Sequence, residues 1–193
     1  MWFLIPIVGL VVAGIVALAS QEEASARSNW ENKYQGAKDE VENLRRNIER
    51  HLSETRSTYD FYVLNEYYYS SFRFADNAYK LLNDSRISLS SLKKMIYAAN
   101  EKRHEIKMRL ESRMSREAKT EHIGELRNLT EFRDALQQDF NKVLAQKRDF
   151  ADEVTRLNQQ TEKLKTAMHE RCGSKGREWY ANLQQRISSR RHT

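Results

Sequence analysis

The sequence predicts an all-α protein, a single N-terminal transmembrane helix followed by long helices that form a coiled-coil or antiparallel hairpin bundle. Three observations carry this reading. The first twenty residues, MWFLIPIVGLVVAGIVALAS, contain no charged side chain. Beyond them the chain has no proline and only four glycines: Gly36, Gly124, Gly173 and Gly176. Its apolar residues recur in alternating steps of three and four, the spacing of helices that bury one stripe. Sheet folds need frequent turns built from Gly, Pro, Asn and Asp, so breakers this scarce argue against them. The abundance of Glu, Lys, Arg, Gln and Leu favours helix instead.

Residues 1–20 would span roughly 30 Å as a helix, the thickness of a hydrocarbon core. The segment is therefore expected to be a retained anchor. A cleaved signal peptide is the competing reading, since Ala17-Leu18-Ala19 has a small-x-small form. Against it, the apolar run is long and no Lys or Arg precedes it. Pro6 falls in the first turns, where a missing N–H costs little. Trp2 and Phe3 suit the interfacial aromatic belt. Arg27, Lys33, Lys38, Arg45 and Arg46 follow the segment, which places the N-terminus outside a cell (inner or plasma) membrane and the body in the cytoplasm. Gly9, Ala13 and Ala17 form a small-xxx-small stripe on which two such helices could pack.

Residues 21–29 (QEEASARSN) read as a polar connector, and 30–172 as a coiled-coil helical domain. Its first stripe is Trp30, Tyr34, Ala37, Val41, Leu44 and Ile48. A second follows one residue out of phase: Phe61, Leu64, Tyr68, Ser71, Ala75, Ala78 and Leu82. Asn83-Asp84-Ser85 is a turn signal, so the hairpin turn is expected near 83–87. Leu89, Leu92, Ile96, Ala99, Arg103, Ile106 and Leu110 then form a third stripe. The pattern weakens over 114–124, where either a bend occurs or the helix runs on. From Leu126 to Met168 it runs for six heptads. Leu136, Phe140, Val143, Phe150, Val154, Leu157 and Leu164 are the expected seam of a homo-oligomer. Arg133, Lys147 and Thr161 interrupt it at intervals of fourteen.

Two stretches stand out as contact surfaces. The aromatic residues of 59–79 outnumber what one helical face can hide, and Tyr62, Tyr67, Tyr69 and Phe74 are candidates for contact with a partner. After a glycine stop at 173–176, residues 173–193 form a basic tail with a short amphipathic helix. Its candidates are Lys175, Arg177, Trp179, Arg186, Arg190 and Arg191, which could dock on the bundle, on anionic lipid or on nucleic acid.

The net charge of +6 is concentrated. Residues 86–121 hold ten bases against five acids, and the tail five against one. Glutamates interspersed among these bases break a continuous phosphate track, so nucleic acid is not the favoured partner. There is no Gly-rich phosphate loop, no H-E-x-x-H and no G-x-S-x-G. The five histidines are scattered singly, and the one cysteine, Cys172, excludes an intrachain disulfide framework or a Cys-based zinc cluster. No enzyme activity, cofactor or metal is expected. Cys172 is either a reduced cytosolic thiol or, in an oxidising compartment, a bridge between two copies.

An N-terminal anchor ahead of a coiled coil resembles the plan of bacterial envelope proteins, among them inner-membrane spanins of phage lysis systems, and of membrane-tethered coiled-coil factors of cell division. The likeness is architectural and rests on no motif. Spanins usually carry basic residues before the anchor and this chain does not, so no functional residue is carried over. The sequence thus predicts a non-enzymatic, membrane-tethered, homo-oligomeric scaffold whose partners are the bilayer, a second copy and another protein. The alternatives are a periplasmic spanin-like spacer and a membrane-held nucleic-acid-binding protein using 86–121 and 173–193.

Overall fold

A computed structural model describes the backbone of residues 12–54 and 59–191 and the side chains of 30–54 and 59–189. The described residues form helices α1 (Val12–Ser53), α2 (Phe61–Leu110), α3 (Arg116–Arg171) and α4 (Gly173–Arg191), with no strand among them. The all-α class follows from the scarcity of helix breakers. No described helix is long and apolar enough to cross a membrane. Residues 1–11, Gly9 included, and the side chains of Ala13 and Ala17 lie outside the described residues.

Helix α1 runs unbroken through 21–29, so the expected connector is helix. Its Gln, Glu, Ala and Arg are good helix formers, and polarity alone does not end a helix. α2 begins at Asp60, whose carboxylate accepts the Tyr62 N–H at 2.9 Å and whose carbonyl accepts the Leu64 N–H at 3.2 Å. It ends where the Ser112 N–H and hydroxyl donate to the Arg109 carbonyl at 3.0 and 2.6 Å. Ser115 caps α3, its hydroxyl accepting the Ala118 N–H at 3.2 Å. Glu117 in the first turn of α3 complements the helix dipole.

The hairpin turn therefore lies at 111–115, not near 83–87. Asn83, Asp84 and Ser85 are helical. The reason is packing: Leu64, Ser71, Ala78, Ser85, Leu92, Ala99 and Ile106, each seven residues apart, are all buried. Ser85 is 0 % exposed and continues the stripe from Leu82 to Leu89. Tertiary burial overrides the local turn preference of Asn and Asp. Of the two expectations for 114–124, the chain breaks only as far as Ser115 and is helix from Arg116 on, so Gly124 sits inside α3 with open space around its Cα.

Two compact units divide the described chain. One comprises Lys33–Asn83 with Arg148–Thr193. In it Val41 and Ile48 of α1, Leu64 and Ala78 of α2, and Phe150, Leu157, Leu164 and Met168 of α3 are enclosed. α2 runs antiparallel to α3, with Tyr59 beside Arg171 and the Tyr79 hydroxyl 3.1 Å from Asn158. α1 runs parallel to α3. Tyr34 donates to Asp149 at 2.8 Å and stacks edge-on against Phe150. Lys38 pairs with the same carboxylate, and Arg45 reaches Glu153 at 3.2 Å. Glu153 is buried, with its second oxygen held by Arg156.

The other unit comprises Met1–Asn32 with Asp84–Lys147. Here α2 and α3 pack antiparallel around Ala99, Ile106 and Leu129, flanked by Leu110, Leu126 and Phe132. Arg103 donates to Thr130 at 3.0 Å, and Trp30 and Glu31 of α1 meet Gln146 and Lys142.

The expected oligomer seam is filled within one chain. Leu136, Val143, Phe150, Val154, Leu157 and Leu164 are buried, and Phe140 half-buried. Heptad spacing specifies that a stripe is covered, and here the chain's own helices cover it. Of the polar interruptions, Thr161 is buried and bonds back to the Leu157 carbonyl at 2.8 Å.

Two outcomes check this fold. Asp84→Pro removes a helical N–H and clashes with the preceding turn, costing about 3 kcal/mol or more; a denaturation curve unchanged by it would restore the turn at 83–87. The second concerns pH. Burial first, then the bond to Asp149, pushes Tyr34 up to about 12 from 10.0, and the Asp149 contact raises Lys38. Folded Tyr34 keeps its proton where the unfolded chain loses it, so stability falls as pH rises from about 10 to about 12. Tyr34→Phe should flatten the fall in melting temperature across that window.

Candidate interaction surface

The N-terminal end of α2 is fixed by one tyrosine. Tyr59 is buried; its hydroxyl donates to the Leu52 and Glu54 carbonyls at 2.9 and 3.1 Å and accepts from Arg171 at 3.0 Å. The Arg171 guanidinium also lies 5.4 Å from the centre of its ring. These contacts hold the end of α1, the start of α2 and the end of α3 together. A small open cleft of about 300 Å³ lies beside them, lined by Leu52, Tyr59, Lys163, Thr166, Glu170 and Arg171.

Helix α4 folds onto that end through two glycines with different tasks. Gly173 adopts φ +64°, the left-handed geometry that lets α3 turn into α4. Gly176 is buried, and a Cβ there would lie 1.9 Å from the Met168 carbonyl oxygen. Together the two glycines let α4 pack back against the start of α2. Trp179 packs edge-on against Tyr68, with centroids 4.8 Å apart, and against Phe61 at 6.5 Å. Tyr180 stacks on His169 at 4.4 Å. Burial, helped by the Glu162 charge, raises the Tyr68 pKa.

With Tyr59 and Tyr68 buried and Phe61, Tyr67 and Phe74 half-buried, four rings of the aromatic set face solvent. Tyr62, Tyr69, Phe72 and Tyr79 are each more than half exposed. On α2 they occupy two adjacent helical lines, 62 and 69 on one and 72 and 79 on the other, beside the buried stripe. Glu66, Arg73, Asp76 and Lys80 are exposed on the same flank. Lys175 reaches onto Tyr62 with a 2.8 Å hydrogen bond, its ammonium 4.5 Å from the ring centre. An exposed aromatic run rimmed by both signs of charge has the composition of a protein–protein interface.

Of the residues expected from sequence, Tyr62 and Tyr69 lie on this face. Tyr67 is half-buried against the His51 ring, and Phe74 is half-buried under Arg73. Arg177 and Arg186 are exposed on α4; the side chains of Arg190 and Arg191 lie outside the described residues. Phe72 and Tyr79 were not singled out. The signal was available, because both fall four residues past the stripe positions Tyr68 and Ala75 and so point beside it. Cys172 is half-buried, and burial together with the Asp60 charge pushes its thiol up, away from reactivity. Among the described residues no group of His, Cys, Asp and Glu could hold a metal ion. Compared with known proteins, the chain matches no family model, no curated protein and no solved structure.

The close approach of Gly176 gives a direct test of α4 docking. Gly176→Ala should push α4 from Met168, at a cost of about 1–3 kcal/mol, and red-shift the Trp179 emission. The Gly124→Ala control, where a Cβ meets open space, should stabilise the protein by about 0.4–1 kcal/mol.

Proposed function

We propose that this chain is a non-enzymatic helical scaffold, tethered to a cell membrane by residues 1–20, that presents the Tyr62, Tyr69, Phe72 and Tyr79 face of α2 to a protein partner. The observation that carries the interaction role is the exposure of these four large aromatics on a helix whose Tyr68, like Tyr59 just before it, is buried. Leaving such rings in water without a partner forfeits about 1.5–3 kcal/mol of burial for each large apolar side chain. The tether rests on the charge-free 1–20 run, and the cytoplasmic placement of the body on the bases that follow it. Since the 136–164 seam is filled within the chain, association between copies also falls to this exposed face. The spanin-like spacer bridged through Cys172 is not favoured, because that thiol is half-buried and raised. The aromatic run itself holds only Arg73 as a base, with Lys80 just past its end, too few for a nucleic-acid track.

The tether is tested on the full chain. It should stay in the membrane pellet through alkaline carbonate and retain Met1, and a reporter fused after Thr193 should be active in the cytoplasm. N-terminal sequencing that starts near Ser20 would replace the anchor with a signal peptide. The face is tested by Tyr69→Asp with Phe72→Asp, which should abolish assembly on the membrane while the helical circular dichroism signal stays intact. Assembly at wild-type level would remove the face from the proposal.

A further inference from the structure

The second face concerns the unit of Met1–Asn32 with Asp84–Lys147 and the part of α2 within it. Three large apolar side chains there are left in water: Ile87, 69 % exposed, Tyr97 and Met108. They are ten and eleven residues apart, close to three helical turns each, so they project from one side of the helix. The exposed Arg86, Lys93 and Lys107 follow a neighbouring line at steps of seven and fourteen, and the exposed Lys94 lies among the apolar side chains, seven residues past Ile87. The exposed acids among them are Glu101, which accepts the Tyr97 hydroxyl in a hydrogen bond, and Glu105, about five turns past Ile87 and paired with Lys102 at 2.9 Å. The face thus holds four bases against two acids, one of them already neutralised by a neighbour, interleaved with apolar side chains.

Its geometry selects the occupant. Protein interfaces gather their apolar anchors into a central cluster, whereas these three are strung out over about 30 Å of helix. A row of single apolar side chains, each beside a base, suits a plane with a polar anionic skin and an apolar layer beneath, which is how interfacial helices sit in a bilayer. Duplex nucleic acid offers nothing for Ile87 and Met108, and four bases along this length leave most phosphates unmatched.

We infer that this face of α2 docks on an anionic lipid surface, with Ile87, Tyr97 and Met108 entering the headgroup layer and Arg86, Lys93, Lys94 and Lys107 meeting lipid phosphates and carboxylates. The inference rests on the membrane reading above and adds a second, reversible contact to the tether. Its strength depends on lipid charge and salt, since each base near an anionic surface adds on the order of five-fold to binding.

The test uses the full chain with an environment-sensitive NBD fluorophore on Ser90→Cys in a Cys172→Ser background; Ser90 is exposed on the same face. The protein is reconstituted in vesicles of phosphatidylcholine alone or with phosphatidylserine. The expected result is a blue shift, with quenching by brominated lipid, only in the anionic vesicles. High salt should reverse it, and Lys93→Glu with Lys94→Glu should weaken docking by on the order of a hundred-fold or more. Identical emission in both vesicles overturns the docking face, even when the chain floats with both. A chain that floats only with anionic vesicles and shows the shift overturns the tether and keeps the face. Reversal of the shift by competing duplex DNA overturns the assignment to lipid.

Discussion

The rest of the structure depends on an unbroken seven-residue ladder along α2. Leu64, Ser71, Ala78, Ser85, Leu92, Ala99 and Ile106 are buried in sequence, and a helix of fifty residues owes its persistence to such a covered stripe more than to propensity. Four of the seven are Ser or Ala. A buried position sized for Ser or Ala enforces register, because a slip would drive a Leu or Ile against a space too small for it. With the ladder fixed, every other position on α2 is assigned to a flank. Those flanks carry the aromatics at 62–79 and the bases at 86–107.

The same ladder explains which parts of the fold were legible. The stripes of α1, α2 and α3 could be read directly, since periodicity registers burial whatever the partner. The turn at 83–85 was misread because Asn, Asp and Ser were weighed as three local preferences. Leu82 and Leu89 are seven apart with Ser85 between them in phase, so the two stripes that seemed to flank a turn are one. The true turn was marked by loss of phase after Leu110, with Ser112 and Ser115 available as terminal hydrogen-bonding residues. Heptad spacing could not say that the stripe at 136–164 is closed by α1 and α2 of the same chain. Spacing fixes the need for cover and leaves its source open.

Side chains set what periodicity could not. The aromatic surplus at 59–79 was visible as a count, yet its division depends on contacts from distant sequence. Tyr59 goes inward because Arg171 and the Leu52 carbonyl meet its hydroxyl. Tyr68 goes inward because Trp179 comes back over it. The second depends on the junction after α3, where Gly173 and Gly176 read alike in sequence and differ in physics. One is required for its φ and the other for the absence of a Cβ.

Charge completes the assignment of α1. Apolar stripes allow two parallel helices to slide by a heptad at modest cost, because each seam position meets another of the same kind. The Tyr34–Asp149–Lys38 cluster and the Arg45–Glu153–Arg156 cluster remove that freedom. Glu153 is enclosed, and a buried carboxylate that lost Arg45 on sliding would bear a desolvation penalty of several kcal/mol. These pairs therefore act less as a source of stability than as a constraint on alignment. α1 is also the element that continues without interruption back to Val12, inside the charge-free run. Whatever holds that run in place acts through a helix whose register on α3 is set by buried charge.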